Sequence, residues 1–229
     1  MSAIFESRLS DSPYIEILWR GRVEQDYAPL CPADRCWNLL FVEDDGKVRV
    51  SVEGATDQTV LKQQRAGLEF LVIKFRLGVF MPHLPAGSLL NADALLPDAS
   101  STSFWLNGAA WQFPDFDNAE AFVARLVREE VLMVDPVVQA TLVEQPALSL
   151  ELSSRTVRRR FVRSTGLTHG MIYQIERAQR AAALLQNGTP ILDVVDQAGY
   201  ADQPHLTRSL RRFYGQTPAQ MMRESRTGV

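Results

Sequence analysis

One short pattern near the C-terminus of this chain occurs twice. Laying Ser153–Gly170 over Asp202–Ala219, 49 residues further on, aligns Val157 with Leu206 and Phe161 with Leu210. The same offset aligns Arg159 with Arg208, Arg163 with Arg212, Gly166 with Gly215 and Thr168 with Thr217. Each copy opens on a good N-cap residue, Ser153 or Asp202, and closes on a glycine suited to the left-handed C-terminal position. Self-similarity at a fixed offset marks a repeated structural unit. The chain must therefore accommodate two equivalent short helices, each with the same stop and restart.

The second copy predicts a helix from Gln203 to Tyr214. Leu206, Leu210 and Phe213 fall at i, i+4 and i+7 and form one apolar stripe. The opposite face then holds Pro204, Arg208 and Arg211, flanked by Thr207 and Arg212. Upstream, Thr189-Pro190 opens a short helix with Ile191, Val194, Val195 and Ala198 inward, and Gly199 ends it. Two short helices joined by a tight glycine turn, the second arginine-rich outside, describe a helix-turn-helix. In the first copy Val157 and Phe161 turn inward, which leaves Arg155, Arg158 and Arg159 outward. Between the copies Met171, Ile175, Ala178, Ala182 and Leu185 give one buried face to a helix ending near Gln186. Its roughly 16 residues span about 24 Å, against ~34 Å between successive major grooves.

Guanidinium groups bind guanine edges bidentately or grip phosphates. A single arginine face is equally a solvated surface with weak ion pairs. Charge distribution favours the first reading. Residues 1–150 carry 12 Lys+Arg against 21 Asp+Glu, whereas residues 151–229 carry 12 against 6, all twelve of them arginine. A basic segment joined to an acidic one is an electrostatic footprint for a polyanion.

At this point the sequence resembles the AraC/XylS type of bacterial transcription regulators. GYADQPHLTRSLRRFYGQTPAQ (199–220) looks like that family's second helix-turn-helix and signature. LSSRTVRRRFVRSTGLTH (152–169) is similar to its first recognition helix, and RAQRAAALLQNGTPILDVV resembles its linker helix and the entry to the second unit. The resemblance covers about residues 150–222. It implies groove-facing places for Arg155, Arg158 and Arg159, and corresponding places for Gln203, Pro204, Thr207 and Arg208; proline has no donor to offer a base. His205 reads as a packed helix-start residue. The expected DNA-binding set is Arg155, Arg158, Arg159, Arg163, Gln203, Thr207, Arg208, Arg211 and Arg212. One departure stands out: only Ala147–Leu152 separates Pro146 from Ser153, too few residues for the family's scaffold helix. Asp135–Val143 is the alternative prop.

The first half reads as strands at Tyr14–Trp19, Trp37–Val42, Lys47–Val52 and Leu68–Phe75, with a turn at Asp44-Asp45-Gly46. A Pro/Gly-rich stretch from Met81 to about Ala99 reads as loop or short irregular helix. Asp117 and Glu120 suggest an acidic capping box for an amphipathic helix over 117–131, and Asp135-Pro136 opens another helix. The resemblance implies a ligand-sensing or dimerising domain here, and the strands are compatible with a cupin-like barrel. The expected fold class is α+β: an N-terminal β-rich domain (1–131) with trailing helices, then an all-α double helix-turn-helix domain (132–229).

Two cysteines, Cys31 and Cys36, and three scattered histidines do not make a structural zinc set. We expect no metal and no cofactor. His83 reads as a loop residue without catalytic work, and Trp37, Trp105 and Trp111 as core or as a pocket lining. No apolar run reaches the ~18 residues of a membrane span, so the expected location is cytoplasmic. The function expected is a sequence-specific DNA-binding transcription regulator and not an enzyme. Its expected partners are double-stranded DNA, an unidentified small-molecule effector, a second copy of itself and, by resemblance, RNA polymerase. The alternative is a cysteine-based sensor or enzyme in the N-terminal half carrying a DNA-targeting tail. A third reading sets the basic helices against an acidic protein.

Overall fold

A computed structural model describes residues 3–142 and 152–227. Strands come first: β1 (Ala3–Leu9), β2 (Ile15–Val23), β3 (Leu30–Cys31), β4 (Asn38–Asp44), β5 (Lys47–Glu53), β6 (Val60–Leu61) and β7 (Glu69–Phe75). Then follow β8 (Val79–Phe80), β9 (Asp93–Leu96), β10 (Asp98–Ser100), β11 (Ser103–Leu106) and β12 (Ala109–Gln112). Helix α1 (Ala119–Arg128) leads through β13 (Met133–Val134) to α2 (Pro136–Leu142). The basic end is helical throughout: α3 (Ser154–Thr165), α4 (His169–Gln186), α5 (Ile191–Gln197), α6 (Gln203–Tyr214) and α7 (Pro218–Thr227). The α+β class, strands before helices, holds. Among the described residues no helix is long and apolar enough to cross a membrane.

The chain forms two compact units that do not follow chain order. The first comprises residues 1–29, 36–55 and 63–168, and the second residues 30–35, 56–62 and 169–229. In the first unit six antiparallel strands run in the order β1-β2-β7-β4-β5-β9. Directly opposed residues share a face, so Leu18, Ile73, Leu39 and Val52 form one fully buried row across the sheet. The β10-β11-β12 meander and α1 belong to the same core through Phe104, Leu106, Trp111, Val123 and Leu126. Trp37 and Trp111 are core residues, while Trp105 is 46% exposed.

Three sequence expectations shift. The stretch from Met81 to Ala99 is not all loop: a single 3-10 turn at Ala86–Ser88 is followed by β9, which pairs with β5. Helix α1 is shorter than 117–131, and the Asp117/Glu120 box does not form. The Asp115 carboxylate takes the backbone N–H groups of Asp117 and Asn118 at 2.9 and 2.8 Å. Glu120 instead forms an ion pair with Arg8 and accepts from the Ser10 hydroxyl at 2.9 Å. Arg8 holds the Glu120 carboxyl down to about 2, far below the usual carboxylate range. By contrast, the Asp135 cap forms as expected, accepting from Val137 N at 3.0 Å. Helix α2 packs on α3 within this unit, the role expected for Asp135–Val143 over its described part. The linker at Gln145-Pro146 and the short stretch Ala147–Glu151 lie outside the described residues.

Candidate nucleic-acid interface

Each of the two repeated helices is bounded as its sequence dictates. The Ser153 hydroxyl accepts from Thr156 N at 3.2 Å, and the Asp202 carboxylate from His205 N at 2.6 Å. At the other ends Gly166 and Gly215 sit at φ +77° and +72°, the left-handed region where L side chains rarely go. Phe161 is fully buried under α3, and Leu206, Leu210 and Phe213 are buried under α6.

Those anchors fix which side chains face outward. Arg155, Arg158 and Arg159 on α3 are exposed, and so are Gln203, Arg208 and Arg211 on α6. Among the described residues none of these five arginines enters an ion pair. Thr207 is half-buried, and its hydroxyl donates to the Gln203 carbonyl at 2.9 Å. The last turn of each helix is engaged differently. Arg163 lies over the Phe80 ring at 5.9 Å, and Arg160 reaches the buried Asp135 at 3.3 Å. Arg212, also in the expected DNA-binding set, forms a 2.7 Å ion pair with Asp57 and donates to the Asp57 carbonyl at 3.1 Å.

The second unit shows how α6 is held. Helix α5 and α6 are joined through Gly199 at φ +70°, and Tyr200 and Ser209 hydroxyls meet at 2.9 Å. Arg177 on α4 stacks over Tyr200 at 4.4 Å and donates to the Gly199 carbonyl at 3.3 Å. The His205 ring packs edge-on against Tyr200 at 5.1 Å, with Nε2 3.4 Å from Arg177 Nη2. His205 is thus a packed helix-start residue, as expected. Segments 30–35 and 56–62 complete the unit. Ala33 N–H donates to the Phe213 carbonyl at 2.7 Å and Thr59 N–H to the Arg212 carbonyl at 2.8 Å. These cap the free carbonyls at the end of α6. Arg35 reaches Glu176 and Gln179 on α4 at 3.3 and 2.9 Å.

Sequence reasoning missed Arg177, Tyr200, Asp57 and Arg35. Arg177 lay inside the recognised linker motif, but its stacking partner comes from the next helix pair. Asp57 and Arg35 gave no signal, because they come from loops more than 140 residues away. Elsewhere, the Cys36 thiol is buried and donates to the Glu16 carboxylate at 3.5 Å, and Cys31 is half-buried. His83 lies in a turn with neither ring nitrogen hydrogen-bonded, and burial lowers its pKa. Among the described residues no three metal-ligating side chains cluster.

Residues 147–224 match the family of helix-turn-helix domains. The HTH-type transcriptional regulator VirS of Mycobacterium tuberculosis is 36% identical over 77 residues, which are 34% of this chain and 23% of VirS. The HTH-type transcriptional regulator RipA of Corynebacterium glutamicum is 36% identical over 90 residues, 39% of this chain and 27% of its own. The match therefore spans about a quarter of the length of these relatives. Among solved structures, ToxT of Vibrio cholerae bound to (E)-4-(8-methylnaphthalen-1-yl)but-3-enoic acid aligns over 98% of this chain and 100% of its own. Its TM-score is 0.43 and its identity 10%. The helix-turn-helix segment is where the sequence likeness lies.

Proposed function

We propose that this protein is a sequence-specific DNA-binding transcription regulator. Its C-terminal part (132–229) binds duplex DNA through α3 and α6, and its N-terminal part (1–131) senses an effector or dimerises. One observation carries the reading: two helices with the same cap, stop and apolar anchor each present exposed arginines, Arg155, Arg158 and Arg159 on α3 and Arg208 and Arg211 on α6, that no acid pairs with among the described residues. Arg208, Gln203 and Thr207 lie toward the start of α6, the part of a recognition helix that meets base edges. Arg155, Arg158 and Arg159 take the same part on α3. Arg163 and Arg211 serve phosphates, and Arg212 does so in competition with Asp57.

Two further readings follow. Strand β1 is a sheet edge that exposes Ile4, Phe5 and Leu9, and such an edge supports pairing with a second copy. An effector would enter the N-terminal half. Promoter activity would further involve RNA polymerase, and the compartment would be the cytoplasm. No catalytic constellation was legible in the sequence, and the regulator reading requires none.

Salt dependence of binding tests the reading directly. The full chain on a ~30-bp duplex of arbitrary sequence should bind with log K falling linearly in log[salt], at about −0.9 per phosphate neutralised. Replacing Arg155, Arg158, Arg159, Arg208 and Arg211 together by alanine should remove most of that slope. Salt-independent binding, or none for the parent chain, would contradict it.

A further inference from the structure

The first unit contains a cavity of about 830 Å3 that the helices do not use. Its floor and rim follow from strand register. Above the fully buried row of Leu18, Ile73, Leu39 and Val52, the next row is Arg20, Leu71, Phe41 and Val50, and the one beyond is Arg22, Glu69, Glu43 and Val48. The face therefore grades from apolar core to charged edge over two rows, and Phe113, Pro114 and Phe116 line the cavity as well. Phe113 stacks on Phe104 at 6.0 Å and meets Phe41 edge-on at 6.4 Å, which makes the floor a preformed aromatic wall.

The charges decide what fits. The lining includes Glu6, Glu24, Glu43, Glu69 and Asp115 against only Arg20 and Arg22. Both arginines are occupied. Arg20 pairs with Glu6 and stacks on Phe116 at 4.6 Å; Arg22 lies 3.6 Å from Glu69 and 3.9 Å from Glu24. Asp115 is committed to backbone N–H groups. Glu43 has no ion pair among the described residues and stands directly opposite Glu69 in the ladder. Like charges directly opposed across strands are destabilising, and the Arg22 guanidinium that offsets Glu69 is shared with Glu24 and leaves Glu43 uncompensated. A cation between them would relieve that repulsion while its hydrocarbon covered Phe41, Leu71 and Phe113. An added carboxylate would worsen it.

We propose that this cavity binds an organic cation with an apolar body: an ammonium or amidinium held by Glu43 and Glu69, its hydrocarbon on the phenylalanine floor. As an effector site it rests on the regulator reading above, so the test uses the full chain without DNA. A failure here would leave the DNA result standing, and the converse holds. Isothermal titration with 4-phenylbutylammonium and 4-phenylbutanoate compares one hydrocarbon carrying opposite charges. The ammonium should bind at least about tenfold more tightly, a difference of ~1.4 kcal/mol. Glu43→Gln should weaken it several-fold and leave the melting temperature equal or higher. Equal or tighter binding of the carboxylate, no binding of either up to millimolar concentration, or ammonium binding indifferent to Glu43→Gln would each overturn the proposal.

Discussion

Helices α3 and α6 were read from one repeated pattern, yet the protein spends their last turns differently. On α3, Arg163 lies over Phe80, and Gly166 sits so tightly that an added Cβ would fall 2.7 Å from the Ala86 carbonyl oxygen. On α6, the aligned Arg212 is held by Asp57, and a Cβ on Gly215 would meet the Thr59 and Leu30 side chains at 3.1 and 3.2 Å. The first two turns, by contrast, match: capped, anchored, and exposing arginines. The difference teaches which half of the repeat is shared machinery and which half is local attachment. On the proposed function, the outward arginines of the early turns repeat because they answer to a common partner; the late turns diverge because each answers to its own neighbour.

The largest effect that would sharpen this contrast is on stability. Gly166→Ala should cost roughly 2–4 kcal/mol, since it adds left-handed strain to a clash with immovable backbone. Gly215→Ala should cost about 1–2 kcal/mol, because only side chains must yield. Denaturant titration of both variants measures the pair, and the reverse ranking would break the comparison. Next comes Arg208→Ala, which should lose ~1–3 kcal/mol on a preferred site and little on unrelated DNA. Arg163→Ala should instead weaken all sequences alike and flatten the salt slope by about 0.9; equal behaviour of the two variants would undo the division of roles. The smallest effect belongs to Asp57→Asn. An exposed ion pair is worth only ~0–1 kcal/mol, so freeing Arg212 should raise general affinity a few-fold and steepen the salt slope. An unchanged slope would mean that Arg212 never reaches phosphate.

The basic end was the more legible part. Ser153, Gly166, Asp202 and Gly215 act through hydrogen bonds and φ angles that depend on neighbours within a few residues, so spacing alone located both helices. The apolar stripe Leu206, Leu210, Phe213 named its buried face for the same reason. In the first half Asp45-Gly46, at φ +51° and +77°, announced the β4–β5 hairpin. The equivalent Asn107-Gly108 signal, at +50° and +77°, went unread between β11 and β12, whose strands are only four residues each. Glu120 misled because its partner is Arg8, over a hundred residues distant. The hold of Asp57 on Arg212 was hidden in the same way. A helix face can be derived from periodicity, but the acid that claims one of its arginines cannot.

The central claim is that α3 and α6 read and grip a duplex. Selection of the full-length protein against a random duplex library at ~0.15 M salt, with Arg208→Ala run alongside, tests it most directly. The account predicts an enriched site with features in one or two successive major grooves, and loss of that enrichment in the variant. A library that emerges unenriched, or a site that Arg208→Ala selects just as well, would contradict it.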